Sequence, residues 1–363
     1  MSTFGHVPLV EVTRGSVIES VHFGSLCLAD ANGNTLLSLG DQTSPFFLRS
    51  SAKPFQLLAF LERGGADRFG FEPREIAIMC ASHSGTPAHL DTLEKLQAKV
   101  GIEESLLQCG VHAPYHKSSA DQLLIDGKTL HPNHNNCSGK HTGMLSFAKM
   151  IGASLDAYLE NSHPVQKAIL KTFCEMCRVD ESSVELGVDG CTAPVFAVPL
   201  PAAARGYARL CHPQGLDENR AAACRLITNA MTAHADMVAG PERFDTDAMF
   251  IGQGAFIAKL GAEGYRGIGI LPGRARGFEG GLGLTMKMSD GDPNTRATSV
   301  VAMALLKALG VLDKTQASSL RKFDRHATTN WRGKEIGEIR PSGFLAEALA
   351  EFISSNTKTG PTR

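Results

Sequence analysis

The sequence lacks net charge: 36 lysines and arginines stand against 37 aspartates and glutamates, leaving −1 at pH 7. No global field therefore recruits nucleic acid or an anionic membrane, and a small neutral or zwitterionic ligand is the expected partner. No apolar run approaches the ~20 residues a membrane-spanning helix needs. Residues 1–8 lack the basic-then-apolar order of a secretory signal. The nine cysteines are few for 363 residues, irregularly spaced and odd in number. They are expected as reduced thiols in a cytoplasmic protein and not as a disulfide framework. Internal repeats are absent too, as are the paired C-x-x-C motifs of a complete zinc signal.

What remains is ordinary globular composition, 43% hydrophobic and 20% charged, in a chain long enough for one large or two smaller units. Short apolar or β-branched segments at 9–12, 18–22, 24–29 and 36–39 read as strands. Asn32-Gly33-Asn34 between the last two is a hairpin signal. From Ala52 the texture turns helical, with Phe55, Leu58, Phe60 and Leu61 on one face and Gly64-Gly65 as a stop. Further helices are expected over 90–100, 140–151, 164–177, 219–234 and 296–309. Strands return over 255–259, 265–271 and 282–288.

The order predicts an α+β protein: an antiparallel sheet shared by the two ends, with packed helices and a helical middle region. Residues 1–363 are expected as one unit, divisible into a sheet domain from about 1–55 and 236–350 and a helical region over 56–235. The polar tail from Ser354 to Arg363 is expected to fray.

Ser50-Ser51-Ala52-Lys53 carries the first chemical signal. On a helix, Lys53 faces the same side as Ser50, so an amine can take the proton that makes the hydroxyl a nucleophile. A helix start also favours developing negative charge. The same serine could be a plain N-cap, and Pro54 suits either role. Cys80-Ala81-Ser82-His83-Ser84-Gly85 follows the apolar run at 76–79. Its hydroxyls either line a pocket or cap backbone groups.

Asn135-Asn136-Cys137-Ser138-Gly139-Lys140-His141 is the most unusual segment. Cys137 and His141 are four apart, as two ligands on one helical face would be, and Asp189-Gly190-Cys191 supplies another thiol in a turn. Cys174 and Cys177 form a C-x-x-C late in an amphipathic helix, with no redox-domain context, and at least one of them is expected in the core. Lys358-Thr359-Gly360 matches the K-T-G of penicillin-recognising enzymes, but it sits in the tail and not on a strand.

Arg49-Ser50-Ser51-Ala52-Lys53-Pro54, Cys80 to Ser84, Cys137 to His141, Asp189-Gly190-Cys191 and Met237-Val238-Ala239-Gly240 fall in one order. Together they resemble the bacterial asparaginase II family of the Rhizobium etli type. The resemblance runs from about Arg14 to Lys287. It implies a fold similar to serine β-lactamases and glutaminases, and hydrolysis of L-asparagine to aspartate and ammonia. Two Ser–Lys pairs are implied: Ser50 with Lys53, and Ser82 with Lys259 of Ala258-Lys259-Leu260-Gly261-Ala262. Also implied are zinc on Cys137, Lys140 and Cys191 with water as fourth ligand, and a homodimer. His141 then becomes a residue behind the ligands. The sequence departs from some members at Asp245, where they carry cysteine.

For the substrate, a zwitterion with a side-chain amide, Arg49 is expected to grip the α-carboxylate and Asp189 the α-ammonium. Zinc would sit beside the reacting atoms and orient Asp189 and Cys191. The alternatives are a glutaminase or other serine amide or lactam acylase, and a zinc-binding protein without turnover.

Overall fold

Val7–Arg14, with Leu9, Val10, Val12 and Thr13 buried, and the NG turn after Val17–Asp30 begin a sheet that the other end of the chain completes. The computed structural model describes residues 5–357, so Lys358-Thr359-Gly360 lies outside them. Contacts divide the chain into two units, 5–46 with 199–212 and 251–357, and 47–198 with 213–250.

The first unit holds an eight-stranded sheet whose registered pairs are all antiparallel. Its order is His326–Thr329, Glu335–Pro341, Val7–Arg14, Val17–Asp30, Leu282–Met288, Tyr265–Ile270 and Phe256–Leu260. Thr35–Leu39 pairs off the path with Val17–Asp30. The two ends thus share one sheet, as the strand–helix–strand order predicts. Helix Leu200–Cys211 packs on Val17–Asp30, Tyr265–Ile270 and Leu282–Met288, which buries Gly24 to Ala29 without alternation. Gly283 permits that approach, since a Cβ there would stand 1.8 Å from the Ala204 carbonyl oxygen. Helices Arg296–Ala308 and Gly343–Thr357 pack against Val7–Arg14.

The second unit is helical. Prolines open Lys53–Leu61, Pro73–Met79, Pro87–Val100 and Pro164–Cys177 in their first turns, where a missing N–H costs nothing. Ser138–Met150 and Glu218–Ala233 complete the main set. Phe173 stacks on Phe196 at 4.8 Å and meets Phe55 edge-on at 5.8 Å, which joins two helices to the hairpin Glu185–Val188/Pro194–Val198.

The sequence reading leaves that hairpin unassigned, because its strands are short and flank a glycine–cysteine turn. Fraying is expected from Ser354 to Arg363, whereas the last helix runs to Thr357; residues 358–363 lie outside the described ones. Ser354 and Ser355 bond back to the Glu351 carbonyl, and Asn356 to that of Phe352, so polar residues sustain the turn. No disulfide joins any of the nine cysteines, which are all buried. Among the described residues no helix is long and apolar enough to cross a membrane.

Gly283→Ala tests the helix–sheet contact. It should lower the unfolding free energy by about 2 kcal/mol or more through overpacking, read by urea denaturation. Gly343→Ala, where nothing lies within 4 Å of the added carbon, should leave the midpoint in place.

Candidate active site

The Leu48 N–H donates to the Phe196 carbonyl at 3.0 Å, and a single 3₁₀ turn, Arg49–Ala52, then leads into helix Lys53–Leu61. Arg49 enters this turn at φ 51°, a left-handed conformation that costs a side-chain-bearing residue ~1–3 kcal/mol. Its Nε donates to Asp189 Oδ1 at 2.7 Å, which helps hold the strained residue in place. That bond does not use the terminal guanidinium nitrogens or Asp189 Oδ2. Burial opposes charge on Asp189, but Lys140 and Arg49 together hold its carboxyl below the usual value.

Lys53 is only 1% exposed. Its Nζ donates to the Ala81 carbonyl at 2.5 Å, to Ser82 Oγ at 3.0 Å and, at the long end, to the Asn136 carbonyl at 3.4 Å. Ser50 is half-buried one turn away; its carbonyl accepts from the Lys53 backbone N–H, but among the described residues no side-chain hydrogen bond joins its hydroxyl to Lys53 Nζ. The helical spacing brings the two close along the chain, while the amine itself turns to Ser82.

Ser82 follows the end of helix Pro73–Met79 and is pinned on both sides of its backbone. Its N–H donates to the Val238 carbonyl at 2.9 Å, and its carbonyl accepts from Arg243 at 2.6 Å. Ser84 Oγ donates to the Ala239 carbonyl at 2.7 Å. Met237-Val238-Ala239-Gly240 thus acts through main-chain carbonyls that hold the serine segment. The sequence reading missed Arg243 in this role. Its only signal there is a cation two residues after the Gly240-Pro241 turn.

Helix Ser138–Met150 starts against the same place. A Cβ on Gly139 would lie 2.1 Å from the Ile78 carbonyl oxygen, so glycine lets this helix press onto Pro73–Met79. His83 Nε2 meets Ser138 Oγ at 2.8 Å beside that contact. Two residues after Ser138, Lys140 Nζ donates to Cys191 Sγ at 2.8 Å. The Asp189–Ala193 turn presents Cys191, with Thr192 at φ 73°.

Burial disfavours charge on Lys140, yet Cys191, Cys137 and Asp189 outweigh it and raise its pKa. A hydrogen bond from Cys191 holds the Cys137 thiol well below its ordinary value against burial, with help from Lys53 and Lys140. The Cys191 thiol is pushed up by that same bond and by burial. Two sulfurs and an amine converge here; thiolates suit zinc, and the amine would have to give up its proton to join them. Among the described residues no group of three His, Cys, Asp or Glu side chains could hold a metal, so the zinc set that the resemblance implies depends on Lys140 as its third member. The spacing argument favoured His141, but its Nδ1 meets the Tyr158 hydroxyl at 2.7 Å instead. Its Nε2 is buried without a hydrogen-bond partner.

Ser50, Lys53, Ser82, Arg49, Asp189, Cys137, Lys140 and Cys191 all belong to the helical unit. Lys259 belongs to the sheet unit, on strand Phe256–Leu260. It is fully buried, with Nζ donating to the Leu260 carbonyl at 2.8 Å.

A sequence profile described as L-asparaginase II matches residues 10–341. No curated protein matches the sequence. Among solved structures, the chain is similar to a probable glutaminase from Bacillus subtilis complexed with 6-diazo-5-oxo-L-norleucine. The identity is 15% and the TM-score 0.38, over 79% of this chain and 84% of that one. A Bacillus glutaminase in 4.3 M NaCl gives 13% identity and a TM-score of 0.37, over 80% and 92%. Likeness this loose transfers no residue roles.

His89, stacked on His83 at 5.1 Å, bonds through Nε2 to the Asp236 carbonyl and closes a capping box with Thr86. Burial lowers its pKa from 6.5 to about 4. Between those values the unfolded chain binds a proton that the native protein refuses. Stability is therefore lost as pH falls from 6.5 toward 4, by on the order of 2–3 kcal/mol. Thermal melts should drop over that window. His89→Gln, which keeps a capping-box acceptor, should flatten the drop; an unchanged slope would contradict the assignment.

Proposed function

We propose that this chain, which belongs to the L-asparaginase II family and is on that ground an amidohydrolase, converts L-asparagine to L-aspartate and ammonia with Ser50 as nucleophile. The observation that carries the reading is the buried Lys53. Its amine lies 3.0 Å from Ser82 Oγ, and the residue stands one helical turn from Ser50 and four positions after Arg49, which is paired with Asp189. A lysine in that position can serve as base only as the free amine.

Asparagine would place its α-carboxylate on the terminal guanidinium nitrogens of Arg49 and its α-ammonium on Asp189 Oδ2, the groups their mutual bond leaves available. Ser50 Oγ attacks the side-chain amide carbon as its proton passes to Lys53. Backbone N–H groups at the start of the helix face the developing oxyanion. The proton returns through Lys53 or Ser82 Oγ to the departing nitrogen, which leaves as ammonia and a β-aspartyl ester on Ser50. Water then cleaves the ester, its proton passing by the same groups, and aspartate is released. Lys259 is the second amine of this reading, and Lys259→Met measures its share.

Zinc, where bound, would be held by Cys137, Lys140 and Cys191. It would supply a fixed charge that orients Cys191 and its neighbour Asp189. Binding must displace the proton from Lys140.

Ser50→Ala should abolish ammonia release from asparagine without changing the melting temperature, and full activity in that variant would overturn the proposal. Lys53→Met should cost about 10²–10⁴ in kcat. Parallel assays with glutamine decide the substrate. Metal analysis of purified protein should find about one zinc per chain, as one four-ligand site requires. Cys137→Ser with Cys191→Ser should lose it; retained metal would move the site elsewhere.

A further inference from the structure

The segment 109–116 takes no part in the mechanism above, yet it is fastened to both sides of Lys53. At one end Asn135 Nδ2 donates to the Cys109 carbonyl at 2.8 Å. At the other the His116 N–H donates to the Ser84 carbonyl at 2.9 Å. Its outer face is open, with Val111 49% and Tyr115 60% exposed, so packing does not explain these polar ties.

His112 lies at the centre of the segment, and its tautomer follows from its partners. Nδ1 meets the Ala113 carbonyl at 2.7 Å, and a carbonyl can only accept, so the proton is on Nδ1. Nε2 is then an acceptor. It takes the Asn136 backbone N–H at 3.0 Å and the Asn136 Nδ2–H at 2.9 Å. Tyr115 stacks on the His112 ring at 4.8 Å, and its hydroxyl lies 3.3 Å from the same Nδ2. Asn136 is thereby held by both its backbone and its side chain. Its remaining backbone group, the carbonyl, is the one that faces Lys53 Nζ at 3.4 Å.

We infer that His112 is a positioning residue: by accepting both N–H groups of Asn136, it keeps the Asn136 carbonyl on Lys53 and so sets where the Lys53 amine points between Ser50 and Ser82. The carbonyl contact is the longest of the three that Lys53 makes, so it is the one a small movement of Asn136 would break. Its loss leaves the amine on Ala81 and Ser82, beside the Cys137 thiol. His112 touches no reacting atom, so the effect should fall on turnover and not on substrate binding.

The inference rests on the proposed function for its kinetic arm. His112→Phe keeps the ring and its stacking on Tyr115 but removes the acceptor, whereas His112→Gln can place an amide oxygen near Nε2. The Phe variant should lose about tenfold or more in kcat on asparagine with KM within about twofold, and the Gln variant should recover most of the loss. Amide exchange at Asn136, followed by NMR, should quicken in the Phe variant and not in the Gln variant. A Phe variant with kcat within about twofold of the parent overturns the inference, as does equal loss in both variants. If the unaltered protein releases no ammonia from asparagine, the proposed function fails. Exchange at Asn136 then decides the anchor alone: faster exchange in the Phe variant supports it and unchanged protection overturns it. Should the Phe variant not fold, His112→Ala makes the same comparison.

Discussion

A lysine nitrogen buried to 1% exposure has to find acceptors, because an unsatisfied buried charge or amine costs several kcal/mol. Around Lys53 this need brings together segments far apart in sequence. Ala81 and Ser82 come from the end of one helix, and Asn136 from the turn before another. Each segment is in turn held by a further layer. Val238 and Arg243 fix Ser82, and His112 fixes Asn136. The helical unit can thus be read outward from one side chain.

The neighbouring cysteines obey the same electrostatics. Lys140 is as buried as the thiols it meets, and the charge it keeps is stabilised mainly by Cys191, Cys137 and Asp189. Gly139 makes this possible one residue earlier, since any side chain there would hold the helix off the Ile78 carbonyl and carry Cys137 and Lys140 away with it. Two of the left-handed, side-chain-bearing residues, Arg49 and Thr192, stand beside residues assigned to chemistry. Such conformations persist only where the surroundings over-determine them, and the Arg49–Asp189 bond helps to do so.

Local signals in the sequence carried the elements that depend on local physics. Asn32-Gly33-Asn34 announces its turn through Gly33 at φ 98°, and prolines mark helix starts that the structure reproduces. The sheet shared between the chain ends was legible from the order of strand-like and helical texture. The Glu185–Val188/Pro194–Val198 hairpin was not, because four- and five-residue strands leave too little pattern to separate from loop.

At the site, residue types and spacing named Ser50, Lys53, Ser82, Cys137 and Cys191, and the family resemblance added Lys140 and Lys259; spacing cannot say which way a long side chain turns. The Lys53 amine is five bonds from its Cα and chooses Ser82 across 29 positions over Ser50 three residues away. His112 and Arg243 act through backbone groups, which leave no trace in residue identity.

The most direct test of the account is covalent. The diazo-ketone analogue of asparagine should alkylate the nucleophile, and peptide mass spectrometry should place the adduct on Ser50, with labelling lost in Lys53→Met. An adduct on Ser82, or none from an enzyme that still releases ammonia from asparagine, would contradict it.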